Sequence, residues 1–153
     1  MRTQALYDFD GTITSKDTTI LLLVALLKLR PWRFSGLIWF LFRMIVASDS
    51  VSKQGHKNKA IGYLIKDLSD MRLSGALKDF RNKVKFLYRR SVVASIGQAI
   101  QDGCTVVIVT ASPSFAISDC VSDLPVIVLG TEFEKEENIY TGLLKSENCY
   151  GKE

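Results

Sequence analysis

Apolar and polar positions change their spacing twice along the chain, and each change marks a different kind of element. "TQALYDFD" (3–10) reads as a short buried strand that ends in an acid pair. "ILLLVALL" (20–27) follows, broken by Lys28, Arg30, Pro31 and Arg33, and then "FSGLIWFLFRMIVA" (34–47). Neither apolar piece reaches the ~20 residues that a bilayer-spanning helix needs. From residue 53 the spacing becomes amphipathic. Ile61, Leu64, Ile65 and Leu68 share one helical face, as do Leu77, Phe80, Val84 and Leu87 on the next helix, with Lys and Arg opposite them. Residues 16–90 therefore read as a helical bundle.

A second regime begins near Val92. "VVASIGQAIQDG" is a helix with Gly103 as its C-terminal stop. "CTVVIVT" is a β-branched run of the kind buried on both faces of a sheet. "SPSFAISDCVSD" restarts a helix, with Pro113 expected in its first turn behind a Ser cap. "PVIVLG" reads as another buried strand, and "TEFEKEENIYTGLL" as a hairpin turning near Glu137-Asn138. Strand, helix, strand, helix, strand is the signature of an α/β fold with a parallel sheet.

Charge reinforces this division. Residues 16–90 hold sixteen Lys and Arg against five Asp and Glu, a local excess of +11; the rest holds four against eleven, −7, for the net +4. Such asymmetry predicts two units: an α/β core built from 1–15 and 91–153, and a helical insertion over 16–90. The basic unit is either a solvated bundle surface or a field that gathers phosphorylated molecules and anionic lipid headgroups. Nucleic acid would suit the charge, but no recognition motif accompanies it, so none is expected.

Three cysteines without a C-x-x-C pair, Cys104, Cys120 and Cys149, fit a reducing, cytoplasmic setting and argue against a disulfide framework or a zinc site. The single histidine, His56, excludes a multi-histidine metal site. Asp8 and Asp10 interrupt the position where an apolar leader core would lie, so no cleavable signal peptide is expected.

Ligands of open parallel sheets bind beyond the carboxyl ends of the strands. Asp8 and Asp10 end the first strand and Thr110 ends "TVVIVT". If those strands are neighbours, two carboxylates and a hydroxyl converge, and a hard divalent cation such as Mg²⁺ would offset the repulsion between the acids. One carboxylate could then attack phosphorus while the other works as acid and base. Thr110 and a cation, Lys152 being the candidate, would hold the phosphoryl oxygens.

"DFDGT", "VVIVTASP" and "NCYGKE" resemble motifs one, two and three of the haloacid dehalogenase superfamily. The likeness is closest to its subfamily IB, which holds phosphoserine phosphatase and phosphatidylglycerophosphatase C. The resemblance covers residues 3–15 and about 91 to the end; between them, only the helical character and location of the insertion match. It implies a Rossmann-like core with an all-helical C1-type cap, and Mg²⁺-dependent phosphomonoester hydrolysis through an aspartyl-phosphate. Asp8 would be the nucleophile and, with Asp10, hold the metal; Asp10 would be the acid and base. Thr110 and Lys152 would hold the phosphoryl group, with Phe9, Gly11, Thr12 and Ala111 beside them. Gly11 would permit a tight turn that lets phosphate approach. Asp17 falls nine residues after Asp8, where phosphoserine phosphatases carry a substrate-contacting Glu; an N-cap is the competing reading.

The family carries a fourth, Gly-Asp-rich motif beyond the third, whereas this sequence stops at Glu153. The expectation is an incomplete core whose first strand is an exposed edge. The alternative to an enzyme is then a non-catalytic remnant that binds phosphate or membrane. The run 20–47 likewise has two readings: the cap's own core, or a peripheral membrane contact favoured by Trp32, Trp39, Arg30, Arg33 and Arg43. The substrate would be a phosphorylated metabolite or a phospholipid headgroup.

Overall fold

A computed structural model describes residues 3–145. Lys152, Cys149 and the rest of "NCYGKE" lie outside the described residues.

Strand β1 (Gln4–Asp8) pairs in parallel with β2 (Thr105–Pro113), Gln4 opposite Thr105 and Asp8 opposite Val109. β3 (Ile127–Thr131) lies parallel on the other side of β2, giving the order β1-β2-β3. The central β2 carries the buried Val106, Val107, Ile108 and Thr110, as its β-branched run predicts. Between β1 and β2 run helices α1 (Thr19–Leu27), α2 (Phe34–Val46), α3 (Ser50–Ile65), α4 (Asp70–Val84) and α5 (Arg90–Gln101). A short helix α6 (Ser114–Cys120) links β2 to β3, and β4 (Phe133–Glu136) with β5 (Ile139–Leu144) forms a separate hairpin.

The helical insertion and the sheet share one hydrophobic core. Leu22, Leu26, Leu64, Phe80 and Val84 of the helices join Ile108 of the sheet and Ile117 of α6 in the same buried cluster. Each such side chain stabilises the fold by roughly 1.5–3 kcal/mol through burial. The amphipathic faces read from the sequence are the buried ones, up to Leu87. That residue sits past the end of α4 in a single tighter turn, Lys85–Leu87, and is only half-buried.

The hairpin turns at Glu137 and Asn138, both with positive φ (49° and 66°), as a two-residue loop with a type I′ twist requires. It clasps the link between α3 and α4. Asp67 N donates to Tyr140 O at 2.8 Å and Tyr140 N to Leu68 O at 2.9 Å. Tyr140 Oη and Lys135 Nζ both donate to Asp70, at 3.0 Å and 2.7 Å. A Cβ on Gly62 of α3 would overlap the Gly142 carbonyl oxygen, so the backbones of cap and hairpin touch directly.

Two readings need correction. Pro113 does not sit in the first turn of α6: it is the last residue of β2, and Ser112 turns its hydroxyl to Asp10 instead of capping the helix. The "PVIVLG" strand is not buried on both faces, for Ile127 and Leu129 face outward while Val128 packs inward. β1 borders the sheet among the described residues, with Leu6 67% exposed, as an edge strand would be.

Candidate functional site

Parallel pairing of β1 with β2 decides the site. Because Asp8 lies opposite Val109, the turn after β1 and the end of β2 emerge together. Residues Phe9–Ile13 form a wide turn closed by Thr14 N donating to Phe9 O at 3.0 Å. Gly11 takes φ +86° at its crest, in the left-handed region where a side chain would strain the backbone. Phe9 is fully buried beneath, edge-on to Tyr88.

Asp8, Asp10, Asp17, Thr110, Ala111 and Ser112 line one cavity of about 490 Å³. Its opposite wall comes from the cap: Thr19 of α1 and Ser50, Lys53, Gln54 and Lys57 of α3. Of the residues read from the sequence, Asp8, Asp10, Thr110, Ala111 and Asp17 therefore meet. Phe9, Gly11 and Thr12 belong to the turn that carries the acids, and Lys152 lies outside the described residues.

The two acids are held differently. Asp10 is clamped: Thr18 N and Thr18 Oγ1 both donate to its Oδ1 at 2.8 Å, and Ser112 Oγ lies 2.6 Å from its Oδ2. A hydroxyl can accept as well as donate, so the Ser112 contact suits Asp10 with or without a proton. Asp8 has one weak side-chain donor, Thr12 Oγ1 at 3.3 Å, and faces the cavity. Partial burial pushes the Asp8 carboxyl above its ordinary range; the Thr12 hydrogen bond pulls it back, and the charge of Asp10 pushes it up again.

Thr110 Oγ1 accepts from Ser112 N at 3.0 Å, which fixes its rotamer while leaving its proton to donate. The last stretch of β2, where its register with β3 shifts between Val109 and Pro113, is anchored at Ala111 O, which accepts from Thr131 Oγ1 at 2.9 Å and from Gln54 Nε2 of the cap at 3.0 Å. Beside it, a Cβ on Gly130 would stand 2.8 Å from Ser112 O, so β3 approaches this part of β2 as closely as a glycine allows. Asp17 lies just before Thr18, the N-cap of α1, and reaches both the start of that helix and the cavity wall. Its Oδ1 accepts from Thr19 N at 2.7 Å at the start of α1, and its Oδ2 pairs with Lys57 in the cavity wall. Burial raises its pKa, but the hydrogen bonds from Lys57 and Thr19 outweigh that and leave it below the ordinary value.

Sequence reading missed Ser112, Thr18, Gln54, Lys53 and Lys57. For Ser112 a signal existed: it follows Thr110 at spacing two on a strand, which puts both side chains on one face. For the α3 residues there was none, because one face of a basic helix looks like another until its packing is known.

As for a metal, the donors are hard oxygens on a shared turn, and Asp10 contributes to the raised pKa of Asp8. The pair fits a hard divalent cation in kind. Among the described residues no third Asp, Glu, His or Cys joins them.

The chain belongs to the haloacid dehalogenase-like hydrolase family, whose model matches residues 5–153. No curated protein sequence matches it. Solved structures share its fold at low identity. A protein with unknown function from Bordetella pertussis Tohama I aligns at 19% identity and TM-score 0.71, over 97% of this chain and 69% of its own. Cytosolic 5'-nucleotidase IIIB bound to cytidine aligns at 12% and 0.73, over 97% and 55%. A substrate-bound phosphoserine phosphatase aligns at 14% and 0.59, over 96% and 64%. The chain thus spans between about half and two thirds of the length of these proteins.

Proposed function

We propose that this chain carries the catalytic acids of a phosphomonoester phosphatase that works through an aspartyl-phosphate on Asp8. The observation that carries the reading is the meeting of Asp8, Asp10 and Thr110 at one cavity in a member of a hydrolase family. An Asp8 oxygen, the less encumbered of the two carboxylates, attacks phosphorus as the bond to the leaving oxygen breaks, and Asp10 gives that oxygen its proton. Asp10, now a carboxylate, takes a proton from water; the water oxygen attacks phosphorus, the Asp8–phosphorus bond breaks, and phosphate leaves. The clamp of Thr18 and Ser112 keeps Asp10 aimed through both steps. Thr110 donates to a phosphoryl oxygen.

Mg²⁺ would be held by Asp8 with Asp10, and when bound it neutralises charge on the carboxylate and the phosphoryl oxygens. The subfamily that contains phosphoserine phosphatase and phosphatidylglycerophosphatase C is the best placement, supported by a helical cap inserted directly after the first acid-bearing turn. Lys53 and Lys57 in the cavity wall favour a substrate that bears anionic charge beyond the transferred phosphoryl group, a phosphorylated metabolite or a phospholipid headgroup.

The test is to incubate the chain with Mg²⁺ and a ³²P-labelled acyl or aryl phosphate, then quench in acid. Label retained on wild type and absent from Asp8→Asn is the expected result. Beryllium fluoride with Mg²⁺, a mimic of phosphorylated aspartate, should raise the thermal midpoint of wild type only. A midpoint raised without turnover or label would favour the binding remnant; neither effect would remove the phosphoryl site.

A further inference from the structure

The two apolar segments of the cap have opposite fates. α1 buries Leu22, Leu23, Ala25 and Leu26, whereas α2 buries only Leu37. Phe34, Ile38, Trp39, Phe42, Ile45 and Val46 are all exposed, Ile45 to 82% and Val46 to 63%. At helical spacing these six form one continuous outward face. Trp32 before the helix, 72% exposed, and Val51 at the start of α3, 64% exposed, extend it at both ends. A contiguous apolar surface of this kind marks a contact.

Charge identifies the occupant. From Arg30 to Lys66 the α2–α3 unit carries seven Lys and Arg against a single acid, Asp49. Arg30 and Arg33 share Asp67 and Lys57 pairs with Asp17, which leaves Arg43, Lys53, Lys59 and Lys66 without an ion pair among the described residues. Arg43 borders the apolar face, its guanidinium 5.9 Å from the Trp39 ring, which itself stacks on Phe42. Aromatic rings, aliphatic side chains and flanking arginines with hardly any carboxylate match the interface of an anionic bilayer. A second copy would bring the same positive field against itself, so self-association is disfavoured. Among the described residues no helix is long and apolar enough to cross a membrane, so the contact lies in the interface plane.

We infer that the α2–α3 hairpin docks this protein on an anionic lipid surface. Val51 of this face follows Ser50 of the cavity wall directly in the chain, so one end of the docking face adjoins the cavity. The docking itself does not depend on the phosphatase reading.

Both tryptophans of the chain, Trp32 and Trp39, belong to this exposed surface, so selectively excited tryptophan fluorescence reports on it. Vesicles of phosphatidylcholine mixed with phosphatidylglycerol should shift the emission to the blue, and lipids brominated on the acyl chain should quench it. Phosphatidylcholine alone should bind at least about tenfold more weakly, and raised salt should weaken binding to the mixture. The double variant Phe42→Ser with Ile45→Ser alters only exposed positions, so its circular dichroism and melting should match wild type. Its vesicle affinity should fall at least about tenfold. Arg43→Gln should lose about fivefold. Three results would overturn the inference: emission unmoved by anionic vesicles, full binding by the double variant, or a lipid-free dimer whose tryptophans already emit in the blue.

Discussion

The floor of the cavity and its wall are built to different standards. On the floor the side chains are short and the groups around the nucleophile are fixed: Asp10 has three donors and Thr110 is locked by the backbone of Ser112, while Asp8 keeps a single long hydrogen bond from Thr12. On the wall Lys57 is tied to Asp17, while Lys53 reaches the cavity on a long flexible stem without an ion pair among the described residues. Rigid short side chains suit bond-making, which tolerates little displacement. Long cations suit attraction, which tolerates a good deal. The floor should therefore govern turnover and the wall should govern binding.

Substitutions can separate these roles. The largest effect is expected for Asp8→Asn, which keeps the shape but removes the nucleophile: kcat on an aryl phosphate should fall by at least about 10⁴-fold, as for other covalent catalysts. Next comes Asp10→Asn, which keeps the hydrogen-bonded frame but ends proton transfer; a loss of about 10³-fold in kcat is expected, greatest for poor leaving groups. Lys53→Ala should multiply KM by about tenfold for a substrate with a second anionic group and leave kcat unchanged. A fall in kcat instead would mean that the wall takes part in the chemistry.

The smallest effect concerns stability. Partial burial, with Asp10 adding to it, holds the Asp8 pKa above its ordinary value of 3.8. An acid raised by folding favours the native state while protonated; that advantage is complete below the ordinary value and disappears as pH rises through the folded value. At neutral pH the Asp8 charge thus costs stability. Asp8→Asn should melt slightly higher than wild type there, with the difference fading in acid, as a calorimetric pH series would reveal. An Asp8→Asn midpoint below wild type at neutral pH would mean that the carboxylate anchors the floor rather than straining it.

The parallel sheet and its acids were legible in the sequence because they depend on local rules. A β-branched run such as "TVVIVT" has few alternatives to a central strand, and an acid pair at a strand end must lie at the sheet's ligand-binding edge. The hairpin turn at Glu137-Asn138 and the stop at Gly103 are also local, set by residues that accept positive φ. Ser112 was misread because two local rules competed. A serine before a proline is a good helix cap, but the strand ran on to Pro113 and the hydroxyl found Asp10.

Periodicity settled which residues of α3 and α4 face a core, and strand patterning put Asp8, Asp10 and Thr110 toward the carboxyl ends of β1 and β2, although β2 runs on past Thr110 to Pro113. Both "ILLLVALL" and "FSGLIWFLFRMIVA" are apolar enough to form a core, and the Trp39 and Arg43 that only the second carries do not by themselves decide which is buried. That choice fell to packing, because one apolar helix filled the space against α3 and α4 and the next had room to bury only one side. Tertiary structure likewise chose Lys53 and Lys57 from sixteen similar cations, since only the docking of α3 over the end of β2 determines which of them reach the acids.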